Sequence, residues 1–170
     1  MTISDIAIEL NKLSKNYNIG KLQLLRKAYK HLSKAATYDI FNNSSIDVNG
    51  LWAFHVGGRK EIQFNIGFED NKIFRYGLAF SLEASQGLPN PIEVLSPKIQ
   101  LFNDYLKEYP SEHKSYSMWH FYDGIRSSDF PINPIPYEWI KRGTFIFIGK
   151  YIKTLNKTIV ITIDYFIHIE

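Results

Sequence analysis

Two acidic residues, Asp47 and Glu61, have a spacing found in one class of metal-dependent site. Metal-dependent nucleases built on a strand pair place an acid roughly ten to twenty residues before a strand that carries an acid-x-Lys motif, and these side chains hold the cation and the attacking water. In this chain Gln63 stands where the lysine is typical. We therefore do not predict catalysis by the chain alone, and keep a nuclease using Asp47 and Glu61 as an alternative.

Cations near turns are candidate phosphate contacts. Arg59 and Lys60 follow two glycines between two predicted strands, whereas a nucleotide-binding loop joins a strand to a helix. Two cations at the tip of a hairpin suit a phosphate backbone instead. Arg126, which precedes two serines in a later loop, is a further candidate for the same contact. For the turn that contains Arg59 and Lys60, the alternative is an ordinary turn that binds no ligand.

Side chains suited to reading a nucleic-acid base are also present. Trp119 opens a run of four ring-bearing residues (WHFY), and a strand shows two of these rings to each face. One pair is thus expected to face a groove or a partner, and Trp119 or a ring beside it to stack on a base. A core position for Trp119 is the alternative. Alternation puts Gln63 and Asn65 on the outer side of their strand, where with Arg75 they are expected to read base edges.

The positive charge of the chain is concentrated near its start. The first 36 residues carry seven Lys or Arg side chains and two acidic ones, in a chain of net charge +3. Lys27, Lys30 and Lys34 lie at helical spacing and form a stripe beside an apolar face. A basic segment on a near-neutral body is typical of a protein that contacts a polyanion through one face. A solvated helix surface is the alternative.

The residue counts exclude several other classes of site. The 170 residues include no cysteine, which excludes a disulfide framework and cysteine-ligated zinc. The five histidines are too scattered to suggest a metal-ligand pair, so we predict no metal and no cofactor. No apolar run approaches the ~18 residues of a membrane helix, and the first residues are acidic where a signal peptide is basic. We expect a cytoplasmic protein with no membrane partner.

The elements that must position these residues follow from periodicity. Apolar residues at helical spacing, after Thr2 or Ser4 as N-cap, predict a helix over 3–13 and a second over 22–36, which together form a basic helical hairpin at 1–36. Ser96 as N-cap and Pro97 at the first helical position predict one further long helix, which Pro110 ends. The sheet-based body is expected to span 37–170.

Alternation of apolar and polar residues predicts the strands of the body. They are expected at 51–56, 61–68, 73–82, 117–122, 144–151 and 158–169, with a long polar loop at 123–136 and a brief helix at 137–142. The predicted fold class is therefore α+β, a single domain over 1–170. In it the N-terminal helical hairpin packs on a mostly antiparallel curved sheet with one further long helix.

Several segments together resemble an N-terminal DNA-recognition domain of bacterial restriction-type proteins. They are residues 53–66 (AFHVGGRKEIQFNI), 75–83 (RYGLAFSLE), 118–119 (MW), 126–127 (RS) and 143–150 (GTFIFIGK). In such proteins the domain is a specificity module placed ahead of an HNH nuclease or a McrB-like motor. The resemblance covers roughly residues 20–152, so we expect either a lone recognition domain or a part of a longer restriction enzyme.

The resemblance implies a DNA-binding specificity domain of a restriction or defence system, with a modified base as one candidate target. The expected partners are DNA and a nuclease or motor subunit. Phosphate contacts are assigned to Lys27, Lys30, Lys34, Arg59, Lys60 and Arg126, and base selectivity to Gln63, Asn65, Arg75 and Trp119. A protein-interaction module, in which exposed aromatic rings bind another subunit, is the remaining alternative.

Overall fold

A computed structural model of the chain describes residues 2–14, 40–41, 46–47, 49–55, 58–69, 73–111 and 113–152. Within these residues there are two α-helices, α1 (Ile3–Ser14) and α2 (Pro91–Glu108). The strands are β1 (Trp52–Phe54), β2 (Gln63–Glu69), β3 (Ile73–Ser81), β4 (Ser117–Tyr122), β5 (Ile125–Arg126), β6 (Phe130–Pro131) and β7 (Phe145–Ile152). Short 3-10 turns lie at Gly58–Lys60 and Tyr137–Trp139.

All seven strands belong to one sheet. Its order is β1-β2-β3-β7-β4-β5, and β6 pairs with β4 beside β5. The registers of β1 with β2 and of β4 with β5, β6 and β7 are antiparallel. The α+β class and the mostly antiparallel sheet are therefore confirmed. The second helix of the predicted hairpin, at 22–36, and the tail strand, at 158–169, lie outside the described residues.

The chain divides into two compact units. The first comprises Met1–Gly57, Phe64–Tyr76 and Tyr151–Glu170, and the second comprises Gly58–Gln63 and Gly77–Lys150. The single domain predicted over 1–170 stays a prediction. Neither described helix is both long enough and apolar enough to cross a membrane.

In the first unit, α1 begins as the sequence predicts. The Thr2 hydroxyl accepts the Asp5 N–H at 3.1 Å while the Asp5 carboxylate accepts the Thr2 N–H at 2.8 Å, which is a reciprocal N-terminal cap. Hydrogen bonding of the carboxylate to the Thr2 backbone N–H, and then to the Thr2 side chain, lowers the pKa of the Asp5 carboxyl below its ordinary value. The apolar face of α1, which contacts β1, is completely buried and consists of Ile3, Ile6, Ala7 and Leu10.

In the second unit, α2 begins earlier than predicted. Pro91 occupies the first turn of α2, where backbone N–H groups make no hydrogen bond within the helix, so proline is tolerated there. Pro97 lies inside the helix. The predicted start at Ser96 is therefore wrong, because Pro91, six residues before Pro97, is the proline at the first helical position. The buried residues of α2 include Leu95 and Ile99. They pack in a core whose other members are Phe80, Leu82, Leu88, Met118, Ile135, Trp139, Ile146 and Ile148.

Candidate nucleic-acid interface

The most prominent feature of the second unit is a two-stranded hairpin, here called the β4–β5 ribbon. Its strands β4 and β5 are joined by Asp123 and Gly124, whose φ angles of 51° and 78° are both positive. A two-residue loop with positive φ at both positions has the signature of a type I′ turn, whose twist matches that of the flanking strands. The Asp-Gly pair was the sequence signal for this hairpin, and the prediction of one long loop over 123–136 is wrong.

The end of the ribbon exposes apolar side chains. Tyr122 and Ile125 are opposite each other in register and so lie on the same face, and they are 37% and 72% exposed. Phe121, on the other face, is 38% exposed. Of the eleven large hydrophobic residues that are exposed in the described part of the chain, five lie between residues 121 and 137. We call Tyr122 and Ile125 the tip pair.

A cation lies next to the tip pair, and a second one follows it in the sequence. The Lys141 ammonium is 3.4 Å from the centroid of the Tyr122 ring, an arrangement in which the electron-rich face of the ring holds the charge in place. Arg142 follows it and is exposed. Gly143, at φ 90°, then turns the chain towards β7. Neither cation was singled out from the sequence, because their proximity to the ribbon depends on tertiary structure.

Trp119 occupies the interior, at 5% exposure. Its ring lies 5.3 Å from that of Phe147 and 5.6 Å from that of Phe145 on the paired strand β7. The exposed rings of the WHFY run are instead Phe121 and Tyr122, because these two are nearest the turn. Trp119 thus occupies the core position that was the alternative in the sequence analysis. Base stacking by this ring stays a prediction, and its burial does not support it.

Arg126 covers Trp119 on the ribbon. Its guanidinium carbon is 4.5 Å from the centroid of the Trp119 ring. One terminal nitrogen donates to the Ser127 carbonyl at 2.8 Å and the other contacts the Asp129 carboxylate at 2.8 Å. The side chain is about one-third exposed, so a phosphate contact by Arg126 competes with Asp129.

The prediction that Gln63 and Asn65 face outward is wrong, because both side chains are buried. In the first unit, the Asn65 side-chain oxygen accepts a hydrogen bond from Arg75, and the Arg75 Nε lies 3.2 Å from a Glu69 carboxylate oxygen. A Cβ on Gly67 would lie 2.9 Å from the guanidinium carbon, so the glycine makes room for Arg75. This polar network satisfies the buried Asn65 and Arg75 side chains on a face of β2 that alternation assigned to solvent. The roles of these residues in base reading stay predictions.

Arg59 and Lys60 form part of a 3-10 turn in the second unit. Arg59 contacts the Glu83 carboxylate at 3.2 Å, and the Ser81 hydroxyl donates to the same carboxylate at 2.9 Å. Lys60 is exposed, and its carbonyl accepts a hydrogen bond of 2.7 Å from the Lys98 ammonium. Lys98, on α2, is therefore a third cation next to this turn. The charge of Arg59 already has an acidic partner in Glu83.

The two acids of the alternative nuclease interpretation belong to different units. The Asp47 carboxylate accepts the N–H groups of Asn49 at 3.2 Å and Leu51 at 3.4 Å, so it stabilises the turn before β1. Within the described residues, no three His, Cys, Asp or Glu side chains come together as a metal-ion site. The nuclease interpretation therefore gains no support from the geometry of Asp47.

Lys27, Lys30 and Lys34 lie outside the described residues, so their predicted stripe is untested. Comparisons of the chain with protein-family models, with curated proteins and with solved structures gave no match. The resemblance to restriction-type proteins therefore rests on the sequence segments alone.

Proposed function

We propose that the protein binds duplex DNA through the β4–β5 ribbon, as a specificity domain of a restriction or defence system. The observation that carries the proposal is the exposed turn end of the β4–β5 ribbon, which has an apolar tip with Lys141 against the Tyr122 ring and Arg142 next in the sequence. Strands of DNA-binding proteins enter either the major or the minor groove, and cations beside them neutralise phosphates on the groove walls. A modified base is one candidate target.

Further phosphate contacts belong to the same proposal. Lys60 lies in the 3-10 turn of the second unit, Lys98 lies on α2 and donates to the Lys60 carbonyl, and Arg126 lies on the ribbon itself. Lys27, Lys30 and Lys34 of the predicted basic hairpin at 1–36 are further proposed phosphate contacts. Gln63, Asn65, Arg75 and Trp119 are buried, so a role in base selectivity requires that the base enters the interior.

Charge reversal next to the ribbon tests the proposal. The Lys141→Glu/Arg142→Glu double variant should bind duplex DNA at least about tenfold more weakly, with a log–log salt slope smaller in magnitude by about two. The matched control is Lys107→Glu/Lys114→Glu, which changes the net charge equally at exposed positions of the same unit. Fluorescence anisotropy of a labelled duplex measures both. Equal affinities of the two double variants would overturn the ribbon as the interface.

A gain of affinity provides the complementary test. Asp123 is an exposed negative charge in the ribbon turn and opposes a phosphate backbone. Asp123→Asn removes the charge and keeps the turn, because Asn-Gly is also favoured at type I′ positions. Affinity for DNA should rise severalfold at low salt, whereas Asp104→Asn on α2 should leave it unchanged. A lower affinity of Asp123→Asn, with the fold intact, would contradict the proposal.

The exposed apolar residues between 121 and 137 favour one second candidate, a protein-interaction module. In that case the ribbon binds a nuclease or motor subunit of the same system. Titration with a nuclease or motor protein encoded beside the gene distinguishes the two: a complex that forms without DNA and is weakened by Ile125→Ala favours the interaction module.

A further inference from the structure

We propose that the tip pair, Tyr122 and Ile125, is a wedge that enters a base step and kinks the bound duplex. This inference rests on the proposed function and specifies the mode of DNA binding. Ile125 is 72% exposed at the end of a hairpin, although it has no polar atom in its side chain. Apolar wedges of this kind partly unstack base steps in DNA-bending proteins, and isoleucine is one of the residues that they use.

The ribbon is held rigidly enough to act as a wedge. The tight turn with two positive φ angles joins the strands through only two residues. On its other side β4 pairs with β7 from Ser117↔Gly149 to Phe121↔Phe145, so the strand is anchored up to the residue before Tyr122. The tip pair is therefore presented at a fixed position next to a paired strand, and insertion needs no folding of a loop.

The two members of the tip pair have different surroundings. The Tyr122 ring has the Lys141 ammonium over one face, which brings a positive charge next to the apolar tip. Ile125 is opposite Tyr122 and has the larger exposed fraction of the two. Ile125 is thus the inserting residue, and the Tyr122 ring with Lys141 lies against the sugar and phosphate beside the opened step.

The position of Lys141 favours DNA over a protein as the occupant of this surface. The cores of protein interfaces are depleted in lysine, because its ammonium is costly to desolvate. Here the Lys141 ammonium lies 3.4 Å from the centroid of the exposed Tyr122 ring, so an apolar surface and a positive charge are side by side. A DNA groove, which is lined by phosphates, is complementary to such a surface. Arg142, the next residue, adds a second positive charge.

A bending assay on the full chain tests the wedge. A duplex of about 20 bp with dyes at both ends reports bending by energy transfer, and 2-aminopurine in successive steps reports unstacking. The wild-type protein should bend the duplex by roughly 20–90° and raise 2-aminopurine fluorescence at one step. Ile125→Ala should lose most of the bend and of this signal and bind about tenfold more weakly. Leu101→Ala, at a 70% exposed position of α2, is the matched control and should behave like the wild type.

Each outcome has one meaning. Melting temperatures close to that of the wild type confirm that both variants are folded, as expected for exposed positions. If the wild type binds DNA but leaves the end-to-end distance and the 2-aminopurine signal unchanged, the wedge is overturned and the DNA-binding function stands. If Ile125→Ala bends the duplex as the wild type does, the wedge is also overturned. If the wild type does not bind DNA at low salt, both proposals are overturned.

Discussion

Arg75 shows how a full charge is kept inside the sheet of the first unit. Its guanidinium lies against Gly67, contacts Glu69 and donates to Asn65, so the cost of removing it from water is offset by an acid and an amide. None of these contacts is local in sequence, because β2 and β3 must pair first. From the sequence alone, a polar residue in an alternating strand is predicted to face solvent, because a buried hydrogen-bond partner on another strand cannot be recognised. This is why Gln63 and Asn65 were wrongly predicted to face outward.

Glu69 is expected to be necessary for this arrangement. Glu69→Gln removes the negative charge that faces Arg75 and should lower the free energy of unfolding by about 1–3 kcal/mol, because the buried guanidinium loses its opposite charge. Urea denaturation gives the value. Glu108→Gln, at the exposed end of α2, is the control and should change the midpoint little. A wild-type midpoint for Glu69→Gln would mean that the ion pair contributes nothing.

His120 gives a prediction about pH. Burial lowers the pKa of its ring below 6.5, and the positive charge of Lys141 lowers it further. Because the folded state binds the proton less readily than the unfolded state, the stability from the neutral ring is present above about pH 6.5 and is lost as the pH falls from there towards the folded-state pKa. His120→Gln should therefore lose less stability than the wild type between about pH 7.5 and 5.5 in urea titrations. The same pH dependence in both proteins would contradict this account.

Local patterns predicted the strands well and the connections less well. The strand at 117–122 has the bounds that alternation predicted, and β3 and β7 differ from prediction by one residue at each shifted end. The segment 123–136 was predicted as a loop on its polar, proline-rich composition, and the two short strands in it owe their pairing to β4. A strand of two residues is too short to show an alternating pattern in the sequence, so it forms only because a neighbouring strand pairs with it.

A close approach of β3 and β7 depends on one glycine. A Cβ on Gly77 would lie 2.2 Å from the Ile148 carbonyl oxygen, which is backbone and cannot swing away. Gly77→Ala should therefore lower the free energy of unfolding by about 1–3 kcal/mol or more, measured by urea denaturation. Gly87→Ala is the control, since nothing lies within 4 Å of its added Cβ. Equal stability of the two variants would show that the strands separate at no cost.

At the level of the whole chain, the net charge of +3 is too small to attract DNA without a local concentration of cations. Among the described residues, Lys141 lies against the ribbon and Arg142 follows it in the sequence, whereas the sequence analysis predicted a basic face in the first 36 residues. Charge counts along a sequence identify basic segments, but only tertiary structure brings a cation next to exposed apolar residues. This is why the tip pair and Lys141 were not predicted from the sequence.

The salt dependence of DNA binding by the wild-type chain tests the central claim most directly. A labelled duplex is titrated by anisotropy between about 50 and 200 mM salt, the range over which counterion release is most easily measured. Four to five phosphate contacts predict a log–log slope of about −4. An affinity that stays constant across this range, or the absence of binding at the lowest salt concentration, would contradict the claim.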